Sequence, residues 1–366
     1  MRIVIAAWHL RDFNVGIGRY CRNLIEAIAK VDHENEYEIL MAEGDQPLIS
    51  APNMKFTRIK FPLFRRQFWE QVSHLLVKPY DVLHFPYDSF ICYKRENFVA
   101  TVHDMLPIIF QTKRLSFNLS KTISSYWMKD RAKKMDKIIT DSEFSKQEIM
   151  RLLNVPSDKI TAIHLGVERK FFMTVRDASV LKRFGVDRDY LLYVGSSSRA
   201  KNPETVIQAY RKMSPILRKQ YCLVLVGDFR QRQDLIMMVT ENERKEDILF
   251  TGVVSEEDLL QLYKNASVFI FPYLYSGFCL PVLEAMASGV PCIVSNRSSF
   301  PEVAGEAADL VDPENINNLA SHLESMLLNT TLRTQLNVKG IERARQFTWE
   351  KTAKKTIEVY RQAATE

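Results

Sequence analysis

The chain has 366 residues, 46% hydrophobic and 26% charged, a balance that supports two globular domains and excludes disorder as the main state. Only 12 Gly and 14 Pro exclude a collagen-like fibre. The net charge of +6 lies wholly in residues 1–170, where 26 Lys/Arg face 20 Asp/Glu, and residues 55–137 alone hold 16 basic against 7 acidic side chains. That asymmetry points to an anionic partner for the first half.

Met1–Trp8 is too short for a signal core and reads as a buried strand over Arg2–Trp8. Helical periodicity follows over Ile17–Lys30, then strands at Tyr37–Met41 and Lys55–Ile59. A helix over Arg66–Val77, strands at Val82–Phe85 and Phe98–Val102, and a helix over Phe117–Lys134 come next. The first half ends with strand Ile138–Thr140, helix Ser145–Leu153 and strand Ile160–Ile163. The pattern loosens over Val167–Asp187, where a domain boundary falls.

The second half repeats the alternation. Strands are expected at Leu191–Val194, Cys222–Val226, Ile248–Thr251, Val268–Phe271, Pro291–Val294 and Asp309–Val311. Helices are expected at Pro203–Met213, Gln231–Asn242, Glu256–Lys264, Pro281–Ala287 and Ile316–Leu328. The amphipathic segment Trp349–Ala363 is placed to pack back across the domain junction. Strand–helix alternation run twice predicts an α/β chain of two doubly wound, Rossmann-like parallel sheets. The expected division is 1–170, 171–345 and a crossover helix over 346–366, with ligands in the cleft where the two domains face each other.

Five Cys (Cys21, Cys92, Cys222, Cys279, Cys292) are odd in number and form no C-x-x-C pair, so reduced, buried thiols of a cytoplasmic protein are expected. The most apolar stretch, Val268 to Val294, carries Glu284 and several Pro and Gly, which excludes a transmembrane span. No spacing of His, Cys and carboxylates suggests a metal site.

Four segments carry chemistry. Gly16-Ile17-Gly18-Arg19-Tyr20 opens a helix after the first strand, where closely spaced glycines let backbone N–H groups approach a phosphate or else make a tight turn with Arg19 on the surface. A nicotinamide fingerprint is not met, because its third glycine is Cys21. His103-Asp104 ends a strand, which points an imidazole into the crevice of an open sheet for a contact to sugar or phosphate, or else leaves a satisfied core histidine, while Asp104 orients the ring or caps the next turn. His9 and His164 also end strands and read as structural. Arg199 and Lys201 stand before Pro203 at a helix start, a place for a diphosphate or else a solvated basic turn. The block Ser276-Gly277-Phe278-Cys279-Leu280 leads into a helix started by Pro281, with Glu284 alone among apolar residues. A carboxylate placed so needs a partner, ribose hydroxyls or a neighbouring cation.

Taken with Asp141-Ser142-Glu143-Phe144-Ser145, Gly166-Val167, Asn202, Val226-Gly227-Asp228, Phe250-Thr251-Gly252, Gly289-Val290-Pro291 and Pro301-Glu302-Val303-Ala304-Gly305, these segments resemble glycosyltransferase family 4 over nearly the whole chain. The resemblance implies the two-domain GT-B fold and a retaining, metal-independent sugar transfer from a nucleotide sugar, with no cofactor. It implies an acceptor-binding N-terminal domain and a nucleotide-sugar-binding C-terminal domain. Under it Glu284 binds the donor ribose and Lys201 neutralises the diphosphate. Gly16 and Gly18 leave room for the phosphates and acceptor, with Arg19, Tyr20, His103 and Asp104 on the acceptor side. His103 touches the transferred sugar, backbone at Phe250-Thr251 reads the base, and residues 276–280 line the donor.

Three positions depart from the family pattern. Ser276 stands where a Glu usually contacts the sugar, Cys279 stands for a Gly, and Ser196 stands where an Arg often precedes the Lys, with Arg199 as its substitute. The motifs look most like the mannosyltransferase members, so GDP-mannose is the first donor expected and a UDP-hexose the second. A catalytically silent nucleotide-sugar-binding protein is the rival reading.

The acceptor is expected to be a glycan or lipid-linked glycan, in the making of surface polysaccharide or a related glycoconjugate. Arg58, Lys60, Arg65, Arg66, Phe68, Trp69 and Lys78, with Lys113, Arg114, Lys121, Trp127, Lys129, Arg131, Lys133 and Lys134, mix basic and aromatic side chains. That mixture suits docking on an anionic membrane surface, the inner face of the plasma membrane, or else a solvated helix face. Nucleic acid is not expected, since no recognised binding motif accompanies the charge.

Overall fold

The computed structural model describes residues 1–11, 16–60, 66–88, 91, 93–94, 96–110, 117–240 and 247–365. The chain forms two compact units, one of Met1–Gly166 with Thr348–Glu366 and one of Val167–Phe347. The second unit closes on itself where the Val167 amide donates to the Phe347 carbonyl at 3.2 Å, so the short helix Lys170–Met173 belongs to it.

The first unit holds β1 (Arg2–Ala6), β2 (Glu36–Met41), β3 (Met54–Arg58), β4 (Val82–Phe85), β5 (Phe98–Thr101), β6 (Lys137–Thr140) and β7 (Ile160–Ala162). All pairings are parallel, in the order β3-β2-β1-β4-β5-β6-β7. Strands β4, β5 and β6 are buried along their whole length, as a parallel sheet covered on both faces requires. The helix Gly16–Val31 lays Tyr20, Leu24, Ile25 and Ile28 inward at helical spacing. The C-terminal helix Trp349–Thr365 packs in the same unit, burying Trp349, Ala353, Ile357 and Tyr360. Its entry explains Gly166: a Cβ there would lie 2.2 Å from the Trp349 backbone nitrogen.

The second unit holds β8 (Asp189–Val194), β9 (Tyr221–Val226), β10 (Ile248–Gly252), β11 (Val268–Phe271), β12 (Cys292–Ser295) and β13 (Asp309–Val311). They pair in parallel in the order β10-β9-β8-β11-β12-β13. In each sheet the strand order reverses beside the first strand, between β1 and β4 and between β8 and β11. Ligands of open α/β sheets bind outside the strand carboxyl ends at those points.

Short helices at Leu106–Ile109, Pro215–Gln220 and Phe300–Ala304 have no counterpart among the expected elements, and two longer stretches differ as well. The segment expected as one helix over Arg66–Val77 is a helix over Arg66–Val72 followed by a tighter turn over Ser73–Leu76. A 15-residue helix over Thr330–Ala344 has no counterpart in the expected elements. It is capped by the Asn329 side chain at 2.9 Å and buries only Leu336, Gly340 and Ala344, too thin a stripe to stand out by period. Cys21, Cys222, Cys279 and Cys292 are buried and form no disulfide among the described residues, while Cys92 lies outside them. Among the described residues no helix is long and apolar enough to cross a membrane.

Candidate functional site

In the first unit the helix after β1 begins at Gly16, with Gly18 and Tyr20 buried and Gly16 exposed. Among the described residues, none comes within 4 Å of the place a Cβ on Gly16 would take. Tyr20 turns its ring against His103, with centroids 4.7 Å apart and planes at 83°. Its hydroxyl lies 3.1 Å from Thr101 Oγ1, which is 2.9 Å from His84 Nε2. His84 Nδ1 in turn meets the Tyr360 hydroxyl at 2.6 Å. This buried chain ties the start of the first helix to β5, β4 and the C-terminal helix. Burial pushes the His84 imidazole down to about 3, and the charge of His103 adds to the shift.

His103 follows β5, and its side chain is 16% exposed, enough for a ligand to reach the ring. Nδ1 lies 2.8 Å from Asp141 Oδ2, and Nε2 lies 3.3 Å from the Pro86 carbonyl. Both partners are acceptors, so both ring nitrogens carry hydrogen. Burial disfavours the cation, but the Asp141 carboxylate, Asp104 and the Pro86 carbonyl outweigh it and hold the ring above its ordinary 6.5. Of the two roles expected for Asp104, the structure gives the cap: Oδ1 accepts from the Leu106 amide at 2.9 Å. Asp141 orients the ring. The motif Asp141–Ser145 carries no role for it by itself; the sequence signal is a carboxylate ending the strand beside that of His103.

In the second unit a short turn, Arg199–Lys201, follows β8 and leads into the helix Pro203–Lys212. Lys201 Nζ sits 4.5 Å over the Tyr273 ring, and the Tyr193 hydroxyl donates to the Lys201 carbonyl at 2.9 Å. Tyr273 stacks on Phe271 at 3.7 Å and donates to the Val194 carbonyl at 2.6 Å. Asn202, at φ 54°, donates to the carbonyls of Pro272 and Pro313 at 3.0 and 2.7 Å and so pins the lysine turn to the segment after β11. Arg199 is exposed on the turn. Arg232 grips the same loop, bonding the Ser197 carbonyl at 2.9 Å and pairing with Glu204 and Asp234. No local pattern marks this bracing in the sequence, because the carbonyls of Ser197, Pro272 and Pro313 that it engages lie far along the chain from Arg232 and Asn202.

Glu284 lies in the second turn of the helix Leu280–Ala287 and is 1% exposed. Its Oε2 accepts from the Tyr263 hydroxyl at 3.1 Å. In the loop before that helix, the Ser276 hydroxyl donates to the Phe278 carbonyl, so its hydrogen is committed within the loop. The Ser276 amide donates to Ser298 Oγ at 3.1 Å, and its carbonyl accepts from Ser298 and Ser299 at 2.6 and 3.0 Å. Gly277, Phe278 and Cys279 are buried and Leu280 half-buried, and burial pushes the Cys279 thiol up. Phe250 and Thr251 lie on the edge strand β10, with Phe250 packed on Phe229 at 5.5 Å and Phe229 on Tyr193 at 6.3 Å. An aromatic row therefore runs from the edge strand to the lysine.

The basic, aromatic stretch needs one correction. Trp69 is 1% exposed and packs on Trp8 with centroids 5.3 Å apart, so it is core and no surface anchor. Arg66 is likewise engaged, pairing with Glu70 at 2.5 Å and lying 4.4 Å over the Tyr87 ring. Phe68, Leu75, Leu76, Tyr126 and Trp127 are exposed, with Lys129 and Lys133 beside the last two. Arg65, Lys113 and Arg114, and the side chain of Lys121, lie outside the described residues.

Comparison with known proteins adds sequence kinship to this geometry. Residues 181–346 match the family description "Glycosyl transferases group 1", and residues 15–171 match "Glycosyltransferase Family 4". The chain is 30% identical to O-antigen chain mannosyltransferase B of Escherichia coli, over 99% of this chain and 100% of that one. It is 27% identical to O-antigen chain mannosyltransferase RfbU of Salmonella typhimurium, over 76% of each. Among solved structures it is similar to a sucrose-phosphate synthase from Thermosynechococcus elongatus, with a TM-score of 0.78, 22% identity, and coverage of 99% of this chain and 98% of that one.

Proposed function

Because this chain belongs to glycosyltransferase family 4 and is a hexosyltransferase of glycan biosynthesis, we propose that it moves mannose from GDP-mannose, with retention at the anomeric carbon and without a metal ion, to a glycan or lipid-linked acceptor. The observation that carries the donor sugar is the full-length kinship with an O-antigen mannosyltransferase. In the proposed transfer the bond from C1 to the diphosphate oxygen breaks, the acceptor hydroxyl oxygen bonds to C1 on the same face, and the hydroxyl proton passes to the departing diphosphate oxygen. Negative charge grows on the departing nucleoside diphosphate. Lys201, fixed over Tyr273, and the N-terminus of the helix Leu280–Ala287 are fixed counter-charges of the kind that stabilise such charge without reorganising. Glu284 holds the ribose, and His103 contacts the transferred sugar. A UDP-hexose is the second donor reading.

Docking on an anionic membrane surface belongs to the same proposal. It rests on exposed Phe68, Tyr126 and Trp127 with Lys129 and Lys133, at about 1 kcal/mol per near-surface cation. Sedimentation with vesicles of acidic phospholipid, against zwitterionic vesicles, tests it; equal binding to both would discard it.

The donor is tested by thermal unfolding with GDP, GDP-mannose, UDP and UDP-glucose, on wild type and Glu284→Ala. A ligand at a hundred times its Kd adds about 2.7 kcal/mol, which gives a visible shift. GDP and GDP-mannose should stabilise wild type and fail to stabilise Glu284→Ala relative to its own unliganded melt. Stabilisation by the uridine nucleotides instead would move the assignment to a UDP-hexose. Turnover of GDP-mannose unchanged by chelator, with the product's anomeric configuration read by NMR, tests metal independence and retention.

A further inference from the structure

We propose that Asp141 is a positioning residue for the transfer: it orients the His103 ring and fixes which ring hydrogen is offered to the sugar. The inference rests on the role given to His103 above and extends it to a residue that touches no substrate.

The geometry is built from two neighbouring strand ends. β5 and β6 pair in parallel, and beyond them the Val102 amide donates to the Ile139 carbonyl at 2.8 Å. Thr140 Oγ1 donates to the Val102 carbonyl at 2.7 Å. His103 and Asp141 are therefore the first residues past a rigid double seam. The Asp141 side chain is 5% exposed and cannot reach solvent as its main partner. It takes Nδ1–H at 2.8 Å, while Tyr20 fixes the ring plane from the side.

With Nδ1–H taken, the one ring hydrogen left for a ligand is on Nε2. That hydrogen rests on the Pro86 carbonyl at 3.3 Å, beyond the usual N–H···O range of 2.7–3.2 Å, so it is loosely held. A sugar hydroxyl that reaches the ring can take it over. Without a carboxylate at Nδ1 the ring is free to take the other tautomer, and Nε2 then loses its hydrogen.

The charged and titratable groups around the ring act together. Asp141 and Asp104 favour the cation, buried His84 behind it is neutral, and Asp88 after β4 also feels the charge of His103. His164, after β7, acts on Asp141. Tyr20 presents its ring and stays protonated, since burial raises its phenol. The cationic ring is present below its pKa and is lost as pH rises through it.

The test begins with histidine NMR of the full chain, with the His103 signal identified by its loss in His103→Gln. The wild-type ring should titrate above 6.5, in Asp141→Asn at least one pH unit lower, and in Asp141→Glu between the two. GDP release from GDP-mannose should fall tenfold or more in Asp141→Asn at pH 8 and less at pH 6, with KM for GDP-mannose within threefold of wild type. A wild-type ring titrating at or below 6.5 overturns the proposal even if no variant folds. So does an Asp141→Asn ring that titrates like wild type, or a loss of activity equal at every pH. If wild type releases no GDP, the donor assignment fails while the ring titration still decides the role of Asp141.

Discussion

Both units put their candidate groups past strand carboxyl ends, the first beyond β5 and β6 and the second at the reversal between β8 and β11, and they hold them with different materials. Past β5 and β6 the first unit buries an imidazole against a carboxylate, backed by the chain Tyr20–Thr101–His84–Tyr360. Past β8 and β11 the second unit lays a lysine on stacked tyrosine and phenylalanine and pins the surrounding loops by backbone carbonyls. A polar network of the first kind depends on which atoms carry protons. An aromatic floor of the second kind depends on packing and is indifferent to pH over the neutral range.

The largest expected effect tests the second unit. Lys201→Ala removes the counter-charge proposed for the departing diphosphate and leaves the Tyr193 and Tyr273 floor standing, so on that proposal kcat should fall by about 10²–10³-fold, the loss typical for removing one such donor. Thermal stability should change little, since the ammonium is partly exposed and its contact with Tyr273 is worth about 0.5–1 kcal/mol. A melting loss that matched the loss of rate would assign the lysine to folding and erase the contrast between the units.

Acid should separate the units next. His84 is pushed down to about 3 in the folded state against about 6.5 unfolded, so its contribution is intact above 6.5 and is lost as pH falls toward 3. The first unit should lose about 1.4 kcal/mol per pH unit in that window, and His84→Gln should flatten the slope. All four Trp (Trp8, Trp69, Trp127, Trp349) lie in the first unit, so their fluorescence reports its unfolding alone. An acid slope that persists in His84→Gln would move the sensitivity to another buried group.

This contrast also explains what could be read from sequence. The sheets were legible because buried parallel strands are short continuous apolar runs, and nearly every strand falls within two residues of its expected ends. Lys201, Glu284 and the 276–280 loop were legible because they lie in contiguous segments with helix-start signals. The first unit's site is assembled from residues far apart in sequence: His103 and Asp141 are 38 residues apart, and His84 and Tyr360 are 276 apart. No local pattern encodes such pairings. Trp69 misled for a related reason, since a tryptophan among basic residues gives no sign that Trp8 covers it.

The smallest expected effect concerns Ser276, where the family pattern has a carboxylate. Its hydroxyl is committed to the Phe278 carbonyl, but the loop is anchored mainly through the Ser276 backbone, by Ser298 and Ser299. Ser276→Ala removes one hydrogen bond and keeps those backbone anchors, which should cost about 0.5–1.5 kcal/mol of loop order. That predicts a rise of about two- to tenfold in KM for the donor with kcat nearly unchanged. Ser298→Ala should do more, because its hydroxyl both accepts from the Ser276 amide and donates to the Ser276 carbonyl. The two variants compared by steady-state kinetics therefore ask whether this loop is held by its side chain or by its main chain. A large fall in kcat for Ser276→Ala, with KM unmoved, would instead make the hydroxyl itself a partner of the transition state.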